Sequence, residues 1–142
     1  MQMENTVVGI SLQTPAEAAA MIRAALPKEQ KEESVFVLPL DAHGKVLAKP
    51  ILVSVGHEDG TAAIDAGVIF REALKAGAEE IIVAHNHPSG DPTPSKADYD
   101  TTGKLKAGAN LIGLELIDHL IIGAPESASG LGFVSMAELM AE

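Results

Sequence analysis

The chain has 142 residues, of which 46% are hydrophobic and 21% are charged, and this balance predicts a well-packed globular domain rather than a disordered segment. The absence of cysteine excludes disulfides, thiolate zinc ligands and cysteine nucleophiles. The formal net charge is −10 without a basic block, so composition gives no support to nucleic-acid binding through phosphates.

The start of the sequence carries no signal-peptide pattern, and no apolar run is long enough for a transmembrane helix. We therefore expect a cytoplasmic protein that does not interact with membranes. There is no internal repeat and no linker, so we expect residues 1–142 to form a single domain.

The first half of the chain predicts a short edge strand, a helix and a β-hairpin. A Val-Val-Gly-Ile segment near the start is typical of the edge strand. Thr14 is typical of a helix N-cap, and Pro27 ends the helix that follows. Apolar runs at 34–41 and 46–55 predict the two strands of the hairpin, and Pro50 places part of the second strand at a sheet edge or bulge.

The second half predicts alternating helices and strands. The first is a helix over about 62–76, capped by Thr61, with Ile64, Val68, Ile69 and Leu74 on its buried face. A strand over 79–85, a Pro-rich loop over 86–94 and a helix from Ser95 to about Gly108 follow. The chain then predicts one or two strands within 111–123, a short strand at 133–134 and a final helix capped by Ser135. Strands mixed with helices, including a hairpin and a helical crossover, predict a three-layer α/β/α domain with a mixed central sheet.

The most informative stretch is residues 85–98, which read HNHPSGDPTPSKAD directly after an apolar run. Residues two apart on a strand point to the same face, so His85 and His87 are predicted to point in one direction, and Asp98 returns to them after the loop. Two imidazoles and a carboxylate are a sufficient ligand set for a catalytic zinc, which takes three protein ligands and keeps one position open. The sequence therefore predicts one Zn²⁺ per chain, bound by His85, His87 and Asp98.

The same stretch carries a resemblance to a known family. His-x-His-Pro followed by Ser95 and Asp98 resembles the JAMM motif of JAB/MPN metalloproteases. The string HNHPSGDPTPS, with Asp-His-Leu-Ile-Ile-Gly at 118–123, resembles the bacterial RadC family over about residues 30–135. This resemblance implies the JAB/MPN architecture, which is cytidine deaminase-like. RadC proteins often carry an upstream helix-hairpin-helix module, and we expect this chain to lack it.

The resemblance also implies two catalytic residues. The family has a Glu two residues before the apolar start of a strand, and Glu33 matches that position, with Glu32 as the alternative one residue away. Such a carboxylate would act as the general base for the attacking water. Ser95 matches the family's serine, whose hydroxyl assists the intermediate, although Ser-x-x-Asp is also a helix cap. Glu79 and Glu80, which precede the histidine strand, are weaker candidates for the base.

Together these features predict a zinc-dependent metallohydrolase, which the resemblance makes a peptidase or isopeptidase acting on peptide or protein substrates through a metal-bound water. Two alternatives stay open: a DNA repair-associated accessory or nucleic-acid processing protein, and a non-catalytic metal-binding interaction module. Asp118 and His119 are expected to be structural or to support a ligand, and His43 and His57 to lie at the surface. Ser127 and Ser129 have no base signalled nearby, so we do not expect a serine hydrolase.

Overall fold

The computed structural model of the protein describes residues 7–56, 64–125 and 132–141. In chain order the elements are α1 (Pro15–Ala25), β1 (Ser34–Leu40), β2 (Ile51–Val55), α2 (Ala66–Lys75), β3 (Glu80–Asn86), α3 (Lys96–Leu111), β4 (Glu115–Ile122), β5 (Phe133–Ser135) and α4 (Met136–Leu139). The strands form one five-stranded sheet in the order β2-β1-β3-β4-β5. Strands β3 and β4 are parallel and joined through α3, whereas the other neighbouring pairs are antiparallel.

Helices cover both faces of this sheet, as the predicted three-layer α/β/α architecture requires. On one face, Ile22 of α1 packs against Phe36 and Leu38 of β1. On the other face, α2 and α3 bury Ile69 and Leu105 against alternate residues of β1 and β3. The mixed sheet and the three layers are therefore confirmed, and successive residues of β1 and β3 face different helical layers because strand side chains alternate.

The first predicted helix is confirmed, but the first predicted strand is wrong within the described residues. Thr14 caps α1 and forms a capping box with Glu17, since each side chain accepts a hydrogen bond from the other's backbone N–H. Residues 7–9 form a turn, and beyond it a single bridge joins Ser11 to Lys45. Residues 1–6 lie outside the described part of the chain.

The second hairpin strand is shorter than predicted. Val46 makes one isolated bridge to Leu40, and the regular strand β2 begins only after Pro50. Proline has no backbone N–H to donate to a neighbouring strand, so regular pairing with β1 starts at Ile51. As predicted for a strand affected by proline, β2 lies at the edge of the sheet.

The predicted helix over 62–76 begins later in the structure. Asp65 is the N-cap of α2, and its carboxylate accepts a hydrogen bond from the backbone N–H of Val68. Thr61, the predicted cap, lies outside the described residues. Leu74 was predicted to be buried but is 52% exposed, because it lies on the far side of the helix from buried Ile69 and Ala73.

Helix α3 continues past Gly108, where it was predicted to end, as far as Leu111. Its end is followed by Gly113, whose φ of +79° is the left-handed conformation that favours glycine after a helix. Gly108 instead lies inside the helix, where Phe70 of α2 contacts it closely. The later elements in the described ranges agree with the prediction: β4 is one strand, β5 follows, and Ser135 caps α4.

We expect Gly108→Ala to destabilise the protein by about 1–3 kcal/mol, because the new methyl group would lie only 2.8 Å from Cε2 of Phe70. Gly103, on the same helix, is the matched control, since a Cβ there meets nothing within 4 Å. Gly103→Ala should stabilise the protein by about 0.5–1 kcal/mol through helix propensity. Urea unfolding measures both values, and equal effects of the two substitutions would contradict this packing role of Gly108.

None of the helices in the described ranges is long and apolar enough to span a membrane.

Candidate metal centre

The two histidines of the motif lie where β3 leaves the sheet. His85 pairs with Val35 of β1 and is fully buried, and His87 follows the end of the strand and is half-buried. Because they are two residues apart, both side chains extend toward the α3 side of the sheet. Their Nε2 atoms lie 3.3 Å apart, so the predicted convergence of the two imidazoles is present in the structure.

Asp98 reaches the histidines from the first turn of α3. Ser95 caps this helix: its hydroxyl accepts a hydrogen bond from the Asp98 backbone N–H, while its own backbone N–H donates to Asp98 Oδ2 over 2.8 Å. This capping box holds the carboxylate with Oδ1 at 3.2 Å from His85 Nε2 and Oδ2 at 3.3 Å from His87 Nε2. The helix cap and the candidate ligand are therefore parts of one local structure.

The three side chains fit the requirements of a zinc ion. In a tetrahedral site with bonds of about 2.0–2.1 Å, donor atoms lie about 3.3–3.4 Å apart. The two Nε2 atoms are 3.3 Å apart, and each lies at a similar distance from a different oxygen of Asp98, 3.2 Å from His85 to Oδ1 and 3.3 Å from His87 to Oδ2. Single donor atoms of the three residues lie within 4.8 Å of one another. Two imidazole nitrogens and one carboxylate oxygen are also a ligand set that suits zinc. Within the described ranges this group contains three residues, which leaves a fourth position for water or substrate.

The Pro-rich loop determines which nitrogen of His87 faces this centre. Nδ1 of His87 lies 3.0 Å from the backbone carbonyl of Asp91, and a carbonyl only accepts hydrogen bonds. Nδ1 therefore carries a proton, so a metal ion would bind His87 at Nε2, in place of the proton that this nitrogen otherwise donates to Asp98. The loop itself is attached to the end of β4, where the backbone N–H of Ala124 donates to the carbonyl of Gly90.

Glu33 lies beside the three candidate ligands. Its Oε1 is 3.6 Å from His85 Nε2, and its side chain is 12% exposed. Glu32 is exposed and lines an apolar groove on the α1 side of the sheet, so the alternative assignment places the carboxylate on the wrong face. Glu79 and Glu80 are at the opposite end of β3, where Glu80 pairs with Leu40.

Asn86, between the two histidines, fastens the segment that carries Glu33. Its side-chain carbonyl accepts a hydrogen bond of 2.7 Å from the Ser34 backbone N–H. Its amide donates to Gln30 Oε1 and to the backbone carbonyl of Glu32. Asn86 is buried and bonds to the residue on each side of Glu33, so it holds this stretch of backbone against β3.

Comparison with known proteins identifies the family. The model of the RadC-like JAB domain matches residues 12–140, almost the whole chain. The chain belongs to the RadC family. Its fold and its possible His-His-Asp metal site are those of a JAB-type metal-dependent domain.

Several bacterial and archaeal relatives are similar to this RadC domain. The UPF0758 protein of Carboxydothermus hydrogenoformans is 47% identical over 94 residues, which are 66% of this chain and 41% of the relative. That of Clostridium perfringens is 38% identical over 114 residues, or 80% and 49% of the two chains. That of Methanosarcina mazei is 38% identical over 96 residues, or 68% and 41%. The chain thus spans about half the length of the curated relatives that it matches.

The charges of the RadC site support one another. Burial opposes ionisation of Asp98, but hydrogen bonds from His85, His87 and the Ser95 backbone outweigh it and hold the pKa of Asp98 well below its ordinary value. The hydrogen bond to Asp98 raises the pKa of His87 despite burial. Burial also raises the pKa of Glu33, although the two histidines act in the other direction. Asp98, an anionic candidate ligand, thus lies near Glu33, a carboxyl group whose pKa is raised.

Two residues, His119 and Thr102, lie behind the site and form hydrogen bonds there, and the sequence alone gave neither a definite role. His119 of β4 is fully buried, and its Nε2 lies 2.9 Å from His85 Nδ1. Burial, together with the neighbouring His85, lowers the pKa of His119 to about 3, so His119 is neutral. On its other side, Nδ1 of His119 lies 2.7 Å from Oγ1 of Thr102 in α3. His119 therefore supports a candidate ligand, which is one of the two expectations stated for it.

Asp118 has a structural role instead. Its carboxylate accepts hydrogen bonds from the Ser135 hydroxyl and from the backbone N–H of Ala137, and so attaches α4 to β4. His43 is an exposed turn residue, as expected. His57, Ser127 and Ser129 lie outside the described residues, so the expectations for them stay predictions.

Proposed function

We propose that this RadC domain is a zinc-dependent metallohydrolase of the peptidase or isopeptidase type. The observation that carries the proposal is the convergence of three candidate ligands, whose donor atoms lie within 4.8 Å of one another, with Glu33 beside them and no fourth ligand grouped with them in the described part of the chain. Structural zinc is normally closed by four protein ligands, and catalytic zinc keeps a position open. This favours catalysis over a purely structural metal.

In this proposal His85 and His87 bind through Nε2, and Asp98 binds through its carboxylate. A zinc ion held there would polarise the scissile carbonyl and lower the pKa of the attacking water. Glu33 accepts a proton from that water as its oxygen attacks the carbonyl carbon. When the carbon–nitrogen bond breaks, Glu33 returns the proton to the leaving amine. Its raised pKa suits a group that must take up and then release a proton.

The proposed substrate is a peptide or protein. The net charge of −10 disfavours a nucleic acid as the substrate, since nucleic-acid affinity depends on contacts of Lys and Arg with phosphates.

Ser95 is proposed to assist the tetrahedral intermediate in addition to capping α3. Its side chain is exposed at the start of the helix, next to Asp98. Ser95→Ala should cost about 1 kcal/mol of stability as a cap. If the hydroxyl also stabilises the intermediate, kcat should fall by about 10²- to 10³-fold. Urea unfolding and steady-state kinetics measure the two effects separately.

Thr14→Ala is the control for the capping effect, because Thr14 closes an equivalent capping box on α1, away from the site. It should cost a similar free energy of unfolding and leave kcat unchanged. If the Ser95→Ala enzyme had the kcat of the wild type, Ser95 would act only as a helix cap.

The test of the proposed function is peptide cleavage. Purified protein is loaded with zinc and incubated with a peptide library, with and without a chelator, and the products are identified by mass spectrometry. We expect cleavage that stops with the chelator and returns with added zinc. Lack of cleavage by zinc-loaded protein, or cleavage that the chelator leaves unchanged, would contradict the proposal.

A further inference from the structure

A chain of buried side chains connects two of the candidate ligands behind the metal centre. His85 Nδ1 lies 2.9 Å from His119 Nε2, and His119 Nδ1 lies 2.7 Å from Thr102 Oγ1. The Thr102 hydroxyl in turn donates to the backbone carbonyl of Asp98 over 2.9 Å. All four residues are buried, and three different elements, β3, β4 and α3, contribute them. We refer to His85, His119 and Thr102 as the histidine chain.

The direction of each hydrogen bond follows from the chemistry of its ends. A carbonyl only accepts, so the single hydroxyl proton of Thr102 points to Asp98, and Oγ1 accepts from His119 Nδ1. His119 is fully buried, and its ring nitrogens face a hydroxyl and an imidazole rather than a carboxylate, so burial favours the neutral ring. With its proton on Nδ1, the neutral ring has a lone pair on Nε2. That lone pair accepts from His85 Nδ1, so a metal ion would bind His85 at Nε2, the nitrogen that is aimed at the other candidate ligands.

We propose that Thr102 and His119 are positioning residues that keep His85 in the tautomer able to bind a metal ion through Nε2. The inference rests on the metal site of the proposed function, but not on the reaction catalysed there. His87 obtains the same tautomer from one backbone carbonyl, that of Asp91. Among the described residues, His85 Nδ1 meets His119 instead of a carbonyl, and the histidine chain leads from there to the carbonyl of Asp98. The tautomer of His85 therefore depends on a hydrogen bond to α3, the helix that carries Asp98.

Thr102→Val tests the hydroxyl group, since valine keeps the shape of threonine but neither donates nor accepts. His119 Nδ1 would then have no acceptor in a buried site, and the tautomer that suits metal binding would be disfavoured. We expect the affinity for Zn²⁺, measured by competition with a chromogenic chelator, to fall by about 10- to 100-fold. Thr102→Ser keeps the hydroxyl and should retain most of the affinity.

Thr101→Val is the matched control, because it makes the same change one residue away on α3, outside the histidine chain. It should bind zinc as the wild type does. A Thr102→Val protein with an affinity within about twofold of the wild type would overturn the proposal. Equal losses in the Ser and Val variants would do the same, because they would point to packing rather than the hydroxyl.

Nitrogen-15 NMR of histidine in the zinc-loaded wild type gives a second test that needs no variant to fold. We expect His119 to carry its proton on Nδ1, with the chemical shift of Nε2 typical of an acceptor. A proton on Nε2 would overturn the proposal. Neither measurement uses a peptide substrate, so a failure of the cleavage assay alone would leave this inference standing. Failure of the wild type to bind zinc would remove both the inference and the proposed function.

Discussion

Glu33→Gln is expected to reduce kcat for peptide cleavage by about 10²- to 10⁴-fold while zinc binding stays unchanged. Glutamine keeps the size of the side chain beside His85 but cannot accept the proton of the attacking water. Glu33 is not one of the three residues grouped as candidate ligands, so the substitution should leave the affinity for Zn²⁺ near the wild-type value. Steady-state kinetics on a peptide identified from the library, together with zinc competition, would measure the two effects.

Glu32→Gln is the control that the structure provides. Glu32 is the adjacent acidic residue, but its side chain lies at a groove on the α1 side of the sheet, away from the histidines. The Glu32→Gln enzyme should therefore retain wild-type kcat. If Glu33→Gln were as fast as the wild type, Glu33 would have no role as the base, and if Glu32→Gln were the slow variant, the assignment would be wrong by one residue.

His87→Ala is expected to abolish the stabilisation of the protein by zinc. A ligand that binds only the folded state at 100 times its Kd adds about 2.7 kcal/mol to the free energy of unfolding, which raises Tm by several degrees. Removing one of three ligands should lower the affinity enough to eliminate this increase at the same zinc concentration. His87 is half-buried at the end of β3, so its loss should do less damage to the metal-free fold than loss of fully buried His85.

Thermal unfolding with zinc and with chelator would measure this effect, and His43→Ala would serve as its control. His43 is an exposed histidine in a turn, so His43→Ala should show the same increase in Tm as the wild type. A full increase in the His87→Ala protein would show that zinc binds elsewhere, and the candidate metal centre would then be wrong.

Much of the candidate site could be predicted because its residues are close in the sequence. Residues 85–98 contain all three candidate ligands and the serine cap, and strand alternation is enough to place His85 and His87 on one side. Asp98 is the third residue of a helix that starts at a Ser-x-x-Asp cap, so local rules also place its carboxylate. Glu33 is far away in the sequence and was found only through the resemblance to a family motif.

The supporting residues could not be predicted in the same way, because their partners are far away in the sequence. Asn86 bonds to the Ser34 backbone across 52 positions, and His85 contacts His119 across 34. Thr102 and His119 are 17 positions apart and belong to different elements. A buried polar residue in an apolar strand indicates that a partner exists, as His119 does, but the register of β3 against β4 decides which partner it is.

Two errors in the predictions, the end of α3 at Gly108 and the burial of Leu74, also arise from contacts between distant parts of the sequence. Glycine is typical of a helix end, yet Gly108 lies inside α3, because the ring of Phe70 occupies the space that a larger side chain would need. Leu74 fits an apolar stripe, but α2 contacts the sheet through Ile69 and Ala73 instead. In both cases the contact with a neighbouring layer outweighed a local preference of less than about 1 kcal/mol.

By itself the sequence determined the layered α/β architecture, most strand and helix cores and the convergence of two imidazoles with one carboxylate, because periodicity, capping and motif spacing act over a few residues. Only the tertiary structure decided that Glu33 lies beside the candidate metal centre, that Asn86 holds its segment, and that the histidine chain contacts His85. Those relations depend on strand register and helix packing, which bring together residues that no local rule connects.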